Sequence, residues 1–286
     1  MTSMVKLENT SCAVCGKSSE TELFHKNSFR IVKCNECGLV YVNPRLSKQD
    51  VSDLYNWNLI SPLQYYRENQ EGDYITFQER VKEIERLYGK KGTMLDIGCN
   101  IGTFLKAAKE LGWDCYGVDI NKEVEEECRK IGMKFFSAPL EEIKFKEEFF
   151  DVIIMNDLIE HMHDPRELLN HAYALLKKEG LIFIVTPDVG SITAHLLSKK
   201  WHHLKPNEHL IYFSKATIKR LLEECRFTII SAKHVSRWRK ISTIVAKSES
   251  LLGFVPPINK ILPQRITKIA IPFNAYDELC VIAKKR

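Results

Sequence analysis

The feature that most constrains this chain is a regular alternation of short apolar segments with amphipathic segments of helical period. It runs from residue 93 almost to the end. Strands that alternate with helices form a mostly parallel sheet with helices on both faces. The pattern therefore predicts a doubly wound α/β domain around a mostly parallel, seven-stranded sheet. The predicted strands are residues 93–97, 115–119, 133–136, 151–156, 180–186, 227–232 and 278–283.

The first predicted strand leads into a turn that contains two glycines, within the segment LDIGCNIGTF. Asp96 lies near the tip of this strand, and Gly98 and Gly102 let the backbone pass close to a ligand. Asp119 lies near the end of the next strand, where a carboxylate can accept hydrogen bonds from both hydroxyls of a ribose. The turn is G-x-x-x-G rather than G-x-G-x-x-G, and it lacks the lysine of a phosphate-binding loop. These residues predict a ligand that has a ribose but no pyrophosphate.

Four segments in order resemble the motifs of class I S-adenosylmethionine-dependent methyltransferases. They are LDIGCNIGTF, YGVDI, FFDVIIMNDLIEHMHDP and LKKEGLIFIVTP. Within that superfamily the chain is similar to the type 11 and type 23 methyltransferases and to the ubiquinone-biosynthesis O-methyltransferases. The resemblance implies a Rossmann-like methyltransferase fold, S-adenosylmethionine as cofactor and methyl transfer as the activity. Asn100 stands where the family usually has a glycine, and asparagine tolerates left-handed backbone better than most residues.

The resemblance also implies roles for individual residues. Asp96 would orient the turn or the amino group of the cofactor, Asp119 would hold the ribose, and Asn156 would lie near the methionine end. Many relatives have an aspartate that bonds adenine after the third strand. This chain has Pro139 there, so adenine recognition would rest on backbone groups and Leu140. The full predicted cofactor set is Asp96, Gly98, Cys99, Asn100, Gly102, Asp119, Ile120, Leu140 and Asn156.

The segment NDLIEHMHDP follows the fourth predicted strand, so its side chains are expected to face the transferred methyl. Together with His209 it resembles the Glu-x-x-Glu-His motif and later histidine of the ubiquinone-biosynthesis O-methyltransferases and the small-RNA 2′-O-methyltransferases. The RNA branch implies a divalent-metal site, and such ligands suit Mg²⁺, Mn²⁺ or Zn²⁺. Asp157 stands where the motif has the longer glutamate. The implied metal ligands are Asp157, Glu160, His161 and His209.

Three interpretations of this cluster stay open. In the first, a bound metal lowers the pKa of a substrate hydroxyl. In the second, His161 or His209 acts as a general base without metal, because imidazole titrates near neutral pH. In the third, Glu160 and His161 only tie the loop to a neighbouring helix. The catalytic candidates are His161, His209 and Glu160.

Four of the nine cysteines form two C-x2-C pairs near the N-terminus, in CAVCGK and CNECGL. Two such knuckles close a four-thiolate site of the kind that a structural zinc prefers. The glycine after each pair permits the left-handed turn. A module this small cannot bury enough core to fold alone, so the metal would supply the missing stability. The predicted zinc-ribbon ligands are Cys12, Cys15, Cys34 and Cys37.

The layout predicts three parts: a zinc ribbon over residues 1–45, connector or lid helices over 46–75, and the methyltransferase domain over 76–286. An insert over 240–275 precedes the last strand. Within it, residues 251–274 mix apolar and basic side chains. That mixture suits an interfacial membrane segment, a surface packed on its own domain, or a dimer face.

Composition and charge narrow the function only slightly. A net charge of +5 permits contact with nucleic acid without arguing for it, and 44% hydrophobic residues is ordinary for a globular protein. No apolar run is long enough for a transmembrane helix, and the N-terminus lacks the apolar core of a signal peptide. A cytoplasmic location is therefore expected.

The acceptor is the least determined property. We expect a hydroxyl, or an activated carbon, of a small molecule, and we favour a sugar-containing or lipid-linked metabolite. RNA methylation on a 2′-oxygen or a base is the alternative, although SRWRK is the only compact basic-aromatic patch. A non-catalytic cofactor-binding scaffold is the second alternative. Trp201, His202 and His203 are candidate acceptor contacts, and the oligomeric state stays open.

Overall fold

The computed structural model describes residues 6–51, 63–245 and 263–286. In these ranges the strands are β1 (Leu7–Glu8), β2 (Glu20–Lys26), β3 (Phe29–Cys34), β4 (Val40–Val42), β5 (Arg45–Leu46), β6 (Thr93–Ile97), β7 (Asp114–Val118), β8 (Lys134–Phe136), β9 (Phe150–Asn156), β10 (Leu176–Pro187), β11 (Ile211–Tyr212), β12 (Phe227–His234), β13 (Arg237–Lys240), β14 (Ala270–Phe273) and β15 (Glu278–Lys285). The helices are α1 (Leu63–Tyr88), α2 (Thr103–Glu110), α3 (Glu125–Ile131), α4 (Pro165–Leu175), α5 (Ile192–Leu197), α6 (Lys215–Glu224) and α7 (Gln264–Thr267). Short 3₁₀ turns lie at Lys122–Val124, Leu140–Glu142, Ile159–His161 and Ser198–Lys200.

Seven strands form the large sheet in the order β12-β15-β10-β9-β6-β7-β8. Strands β10, β9, β6, β7 and β8 pair in parallel, whereas β15 runs antiparallel to both β10 and β12. The predicted doubly wound, mostly parallel sheet is confirmed. The chain leaves β6 toward one edge of the sheet and later enters β9 on the other side of β6. The carboxyl ends of β6 and β9 therefore border a crevice where ligands bind in such sheets.

The central strands are buried on both faces, which explains their unbroken apolar sequences. Leu95 of β6 and Ile153 of β9 belong to one core cluster, while Met94 and Ile154, their neighbours in sequence, belong to another. Each face of the sheet is covered by helices, and Val81 of α1 is fully buried in the second cluster.

The N-terminal module is a four-stranded sheet of β2, β3, β4 and β11. Strand β11 belongs to the large domain by sequence, and its Ile211 lies opposite Tyr41 of β4 in antiparallel register. Tyr41 also packs in one core cluster with Leu210 and Phe213. The module and the large domain therefore share both a sheet and a core.

Helix α1 is continuous through the predicted boundary between residues 75 and 76. Gly72 lies inside this helix because strand β13 passes very close: a Cβ at Gly72 would lie 2.4 Å from the carbonyl oxygen of Trp238. Strands β13 and β14 pair antiparallel across the predicted insert. Residues 251–262 of the stretch 251–274 lie outside the described residues, and the remainder contains α7 and β14. No helix in the described ranges is both long and apolar enough to cross a bilayer.

Candidate active site

A crevice opens at the carboxyl ends of β6 and β9, where the strand order reverses. The turn after β6, the end of β9 and the inner face of α1 form its walls, and its volume is about 580 Å³ including the space open to solvent. Five of the predicted cofactor residues line it. They are Asp96, Gly98, Cys99, Asn100 and Asn156.

The turn after β6 is built from left-handed backbone. Gly98, Asn100 and Gly102 have φ angles of 75°, 48° and 72°. The Asn100 side chain accepts a hydrogen bond of 2.7 Å from the N–H of Ile101, which favours asparagine in this conformation. A Cβ at Gly102 would lie 2.5 Å from the terminal methyl of Met133. Asparagine can therefore keep this turn, whereas a side chain at Gly102 would be strained at its φ of 72° and would have to displace the Met133 methyl.

Asp119 follows the tip of β7 and braces the turn. Its two carboxylate oxygens accept hydrogen bonds of 2.8 Å from the N–H groups of Asn100 and Asn121. Burial raises the pKa of Asp119, and these backbone N–H groups act in the opposite direction. A carboxylate oxygen has more than one lone pair, so Asp119 keeps acceptor capacity for ribose hydroxyls.

Asp96 lies in the floor of the crevice and is 3% exposed. Its Oδ1 atom is buried without a hydrogen-bond partner. Burial, and then the nearby Asp119, raise the pKa of Asp96 well above its usual range. A buried, unpaired carboxyl is unfavourable unless a ligand pairs with it. The ammonium or sulfonium group of S-adenosylmethionine has the charge that would satisfy Asp96.

The other predicted cofactor residues lie around the crevice without lining it. Gly102 precedes α2 as its N-cap residue, and Leu140 is buried in the 3₁₀ turn after β8. Ile120 follows Asp119 and is 43% exposed. Their contacts with the cofactor stay predictions.

Two buried arginines contact the polar residues that follow β9. Arg80 of α1 donates a hydrogen bond of 2.6 Å to the Asn156 side-chain oxygen. Arg237 of β13 donates to both oxygens of Asp157 at 2.6 Å and also pairs with Glu278 of β15. The two guanidinium groups therefore connect α1, β13 and β15 to the mouth of the crevice.

The sequence pattern did not identify these arginines as site residues. Arg80 lies between Phe77 and Ile84 at helical spacing, on the apolar face of α1. A charged residue on that face is the sequence signal from which Arg80 could have been identified. Arg237 was visible only as part of the basic segment SRWRK. Its carboxylate partners are far away in the chain, so only the tertiary structure shows that its charge is used internally.

Glu160, His161 and His209 form a buried cluster where the turn after β9 meets the segment before β11. One ligand atom of each lies within 4.8 Å of the others. Glu160 accepts a hydrogen bond of 2.8 Å from the Thr186 hydroxyl, and the Nδ1 of His161 lies 2.9 Å from the Glu208 carbonyl oxygen. The second carboxylate oxygen of Glu160 and the Nδ1 of His209 are buried without hydrogen-bond partners.

Burial dominates the electrostatics of this cluster. It raises the pKa of Glu160 to about 8, with Asp157 as the second cause, and it lowers the pKa of His161 to about 4. The pKa of His209 is also lowered well below its usual value, first by burial and then by His161. Both imidazoles are therefore neutral near pH 7, and neutral imidazole is the form that binds metal ions.

Asp157 does not join the cluster, so of the four predicted metal ligands only Glu160, His161 and His209 lie together. Its carboxylate is paired with Arg237 instead. Its backbone adopts φ 55°, and its N–H donates a 2.9 Å hydrogen bond to the carbonyl of Val185. This conformation places Asp157 in the wall of the crevice.

A second cavity lies beside the crevice on the same edge of the sheet. Residues of α5, of the segments after β10 and β12, and of the segment before β15 line it, and its volume is about 810 Å³ including the space open to solvent. Arg237 lies in the wall of both cavities. Glu160, His161 and His209 line neither of the two.

The four cysteines of the N-terminal module lie together. The Sγ atoms of Cys12 and Cys37 are 3.4 Å apart, and those of Cys15 and Cys34 are 3.5 Å apart. These distances are longer than a disulfide bond. They approach the sulfur–sulfur distance of about 3.8 Å that a tetrahedral site has when its Zn–S bonds are about 2.3 Å long. The glycine after each pair has φ of 72° or 78°. The small four-cysteine module is confirmed, and its geometry suits zinc.

Comparison with known proteins gives the same assignment as the fold. The methyltransferase-domain family model matches residues 66–232, which is more than half of the chain. The ubiquinone-biosynthesis O-methyltransferase of Pelagibacter ubique is 25% identical over 196 residues, covering 66% of this chain and 65% of that protein. The enzyme of that name from Actinobacillus pleuropneumoniae is 31% identical over 140 residues, covering 45% and 54%. The chain thus spans less than two thirds of the length of these two relatives.

Two crystal structures share the fold at low sequence identity. A methyltransferase from Thermotoga maritima has a TM-score of 0.56 at 18% identity, covering 82% of this chain and 100% of that one. The 1,6-didemethyltoxoflavin-N1-methyltransferase of Burkholderia thailandensis, crystallised with bound 1,6-didemethyltoxoflavin and S-adenosylhomocysteine, has a TM-score of 0.56 at 15% identity, covering 94% and 99%. This chain belongs to the methyltransferase-domain family, shares the fold of S-adenosylmethionine-dependent methyltransferases and is similar to the ubiquinone-biosynthesis O-methyltransferases.

Proposed function

We propose that the protein transfers the methyl group of S-adenosylmethionine to a hydroxyl, or an activated carbon, of a small molecule. The observation that carries this proposal is the pair of adjoining cavities at one edge of the sheet, with Arg237 in both walls. The sulfonium is already an activated donor, so the protein has to hold the nucleophile about 3 Å from the methyl carbon and exclude water. One cavity suits the donor and the other a compact acceptor.

For the donor, we propose that Asp96 pairs with the cationic methionine part and that Asp119 accepts hydrogen bonds from the ribose. Calorimetry tests this directly. Asp119→Ala should weaken S-adenosylmethionine binding by about 1–3 kcal/mol, because its hydrogen bonds to the ligand and to the turn are lost. Asp114→Ala is the matched control, since Asp114 begins the strand that Asp119 follows and pairs with Lys134 on the surface. Unchanged affinity of Asp119→Ala would remove this role.

A small acceptor is favoured over RNA because the basic-aromatic segment is not presented to solvent as a basic patch. Arg237 is paired with Asp157, and Arg239 donates to Asp73 at 2.5 Å. The indole N–H of Trp238 is also engaged, at 3.1 Å from a Glu79 oxygen. Phosphate contacts require cations that are not already neutralised. Methyl transfer to nuclease-treated small-molecule extract, with none to purified RNA, is the expected result.

We propose that Glu160, His161 and His209 hold a divalent cation. The two buried atoms without partners in this cluster support the proposal, and a carboxylate with two neutral imidazoles is a set that Zn²⁺ or Mn²⁺ accepts. If its open positions reached a ligand, the ion would supply Lewis-acid chemistry. Elemental analysis should show one metal less per chain in Glu160→Gln than in the wild type. The same metal content in both proteins would favour the interpretation that Glu160 and His161 only tie the loop to a neighbouring helix.

We propose that the four N-terminal cysteines hold one structural zinc. Four protein thiolates leave no open coordination position, so this ion would stabilise the fold rather than take part in the reaction. Purified protein should contain about one zinc more than Cys34→Ser.

The alternative to an enzyme is a non-catalytic scaffold, which would bind the cofactor without ever producing S-adenosylhomocysteine. A turnover assay separates the two functions.

A further inference from the structure

We infer that the second cavity is the acceptor site, that its wall selects an uncharged, hydroxyl-bearing molecule, and that His202 takes the proton from the reacting hydroxyl. This inference rests on the proposed function and adds to it a substrate class and a catalytic residue. We call this space the acceptor cavity.

The acceptor cavity lies beside the cofactor crevice. Residues after β10 and β12 and residues before the reversed strand β15 line it, so it opens on the same edge of the sheet as the cofactor crevice. Arg237 lines both spaces, and its Asp157 partner lines the crevice. A molecule in the acceptor cavity is therefore next to the end of β9, where the methionine part of the cofactor is expected.

Within the described residues, the wall of the acceptor cavity offers no unpaired arginine to an anionic acceptor. Two guanidinium groups line the acceptor cavity, and both are engaged by carboxylates. Arg237 pairs with Asp157 and Glu278, and Arg239 pairs with Asp73. A phosphate or carboxylate on the acceptor would have to compete with these buried pairs, and removing a carboxylate from such a pair is costly.

The wall also carries the carboxylate of Asp277, which disfavours an anionic acceptor, whereas the carboxylate of Glu278 is already paired with Arg237. The remaining lining is mostly apolar or hydroxyl-bearing, including Leu197, Phe273 and Thr193. Such a surface fits a neutral molecule that has both an apolar face and hydroxyl groups.

The wall of the acceptor cavity also contains a histidine beside a carboxylate. The Nδ1 of His202 lies 3.8 Å from an Asp277 carboxylate oxygen, and both residues line the acceptor cavity. The indole N–H of Trp201 donates to the same oxygen at 2.8 Å, which fixes the carboxylate. The His202 ring is tilted against His203, with centroids 3.9 Å apart. A carboxylate beside an imidazole stabilises the imidazolium that forms when the base takes a proton.

The reaction balances without any further reagent. As the acceptor oxygen forms its bond to the methyl carbon, the bond from that carbon to sulfur breaks and its electron pair stays on sulfur. The sulfonium becomes the neutral thioether of S-adenosylhomocysteine. The hydroxyl proton passes to the imidazole of His202, beside Asp277, and is later released to water. His161 and His209 do not line this cavity, so His202 replaces them as the expected base.

The test uses full-length protein, S-adenosylmethionine labelled in the methyl group, and a protein-free filtrate of the source cells as the acceptor mixture. Ion exchange separates the labelled products into uncharged, anionic and cationic pools. We expect the label in the uncharged pool. Label confined to the anionic pool would overturn the inferred substrate class. No labelled product from wild-type protein would contradict the proposed function itself.

His202→Ala should lower the labelling rate by about 100-fold or more, as expected for loss of a general base. Its affinity for S-adenosylhomocysteine and its unfolding temperature should stay unchanged, and imidazole in the buffer should restore part of the rate. His195→Ala is the control, since His195 is an exposed histidine of α5 outside both cavities. If His202→Ala is misfolded, His202→Gln replaces it.

Two results would overturn the role of His202. One is wild-type labelling by the folded variant. The other is a loss of labelling that imidazole does not restore, which would indicate that His202 only shapes the cavity. In both cases labelling by the wild type would still stand, so the proposed function would survive the failure of this inference.

Discussion

The N–H of Val42 in the cysteine module donates a hydrogen bond of 3.0 Å to the carbonyl oxygen of Leu210. The N–H of Leu210 then donates one of 2.9 Å to the carbonyl oxygen of Glu160. Leu210 directly follows His209. Two consecutive backbone hydrogen bonds therefore connect the module to the Glu160–His161–His209 cluster, which makes the module part of the support for that cluster.

This connection predicts that loss of the module's metal loosens the segment that carries His209. Cys34→Ser should lose zinc and should show faster hydrogen exchange over residues 208–212, because strand β4 would no longer be held against β11. Exchange within β6 and β9 should change little. Mass-spectrometric hydrogen exchange measures both regions in one experiment.

Cys225→Ser is the control for that experiment, since Cys225 is a buried cysteine outside the four-cysteine cluster. It should keep its zinc and the slow exchange over residues 208–212. Unchanged exchange of that segment in zinc-free Cys34→Ser would show that the module does not support the cluster.

Asp96→Asn should stabilise the cofactor-free protein while weakening its binding of S-adenosylmethionine. The pKa of Asp96 is raised in the folded state, so the folded protein holds this proton more tightly than the unfolded chain. Wild-type stability is therefore lost as pH rises from about 4, the usual aspartate pKa, toward the folded value. The amide cannot ionise. The free energy of unfolding, measured with urea near pH 7, should therefore be about 0.5–2 kcal/mol higher for the variant than for the wild type.

Calorimetry on the same Asp96→Asn protein should show weaker cofactor binding, because the ligand's positive charge no longer meets a carboxylate. Asp114→Asn is a suitable surface control. A variant that is both less stable and equally tight in binding would mean that Asp96 is only a structural acceptor.

Asp151→Asn should destabilise the protein in a pH-dependent way. Burial alone would raise the pKa of Asp151, but the Lys177 ammonium, the Tyr88 hydroxyl and Thr93 hold it at about 2. A depressed carboxyl pKa contributes stability that is present above about pH 4 and lost as pH falls toward 2. The free energy of unfolding of the variant should be lower than that of the wild type by about 2 kcal/mol at pH 7.

Urea unfolding at several pH values measures this effect. The difference between wild type and Asp151→Asn should shrink as pH falls from about 4 toward 2. Asp164→Asn, at the N-cap of α4, is a carboxyl control outside this network. A difference that stays constant at every pH would show that shape or hydrogen bonding, rather than charge, explains the effect.

Replacing Asn100 separates backbone conformation from side-chain chemistry in the turn. Asn100→Gly should keep cofactor affinity within a few-fold, because glycine adopts a φ of 48° without strain. Asn100→Val should cost about 1–3 kcal/mol of stability, since a β-branched residue is strained there. Thermal unfolding and calorimetry measure the two effects. Equal behaviour of the two variants would contradict a conformational role for this position.

Much of the site was predictable because its residues are close together in sequence. The glycine turn, Asp96 and the residues after β9 follow from local patterns, and parallel strands bring their carboxyl ends to one edge. The paired cysteines are equally local. By contrast, the sequence placed Asp157 with Glu160 because they are neighbours in one segment, and the structure turns Asp157 away to Arg237.

The sequence by itself determined the sheet, the glycine turn after β6 and the four-cysteine module, because short-range periodicity and spacing encode them. Only the tertiary structure decided which charged side chains neutralise one another and which histidine side chains line a cavity. Arg80, Arg237 and His202 acquire their roles from residues distant in the chain, as in the contact of Arg237 with Asp157. Such pairings depend on how several elements pack, and no local pattern of residues records that packing.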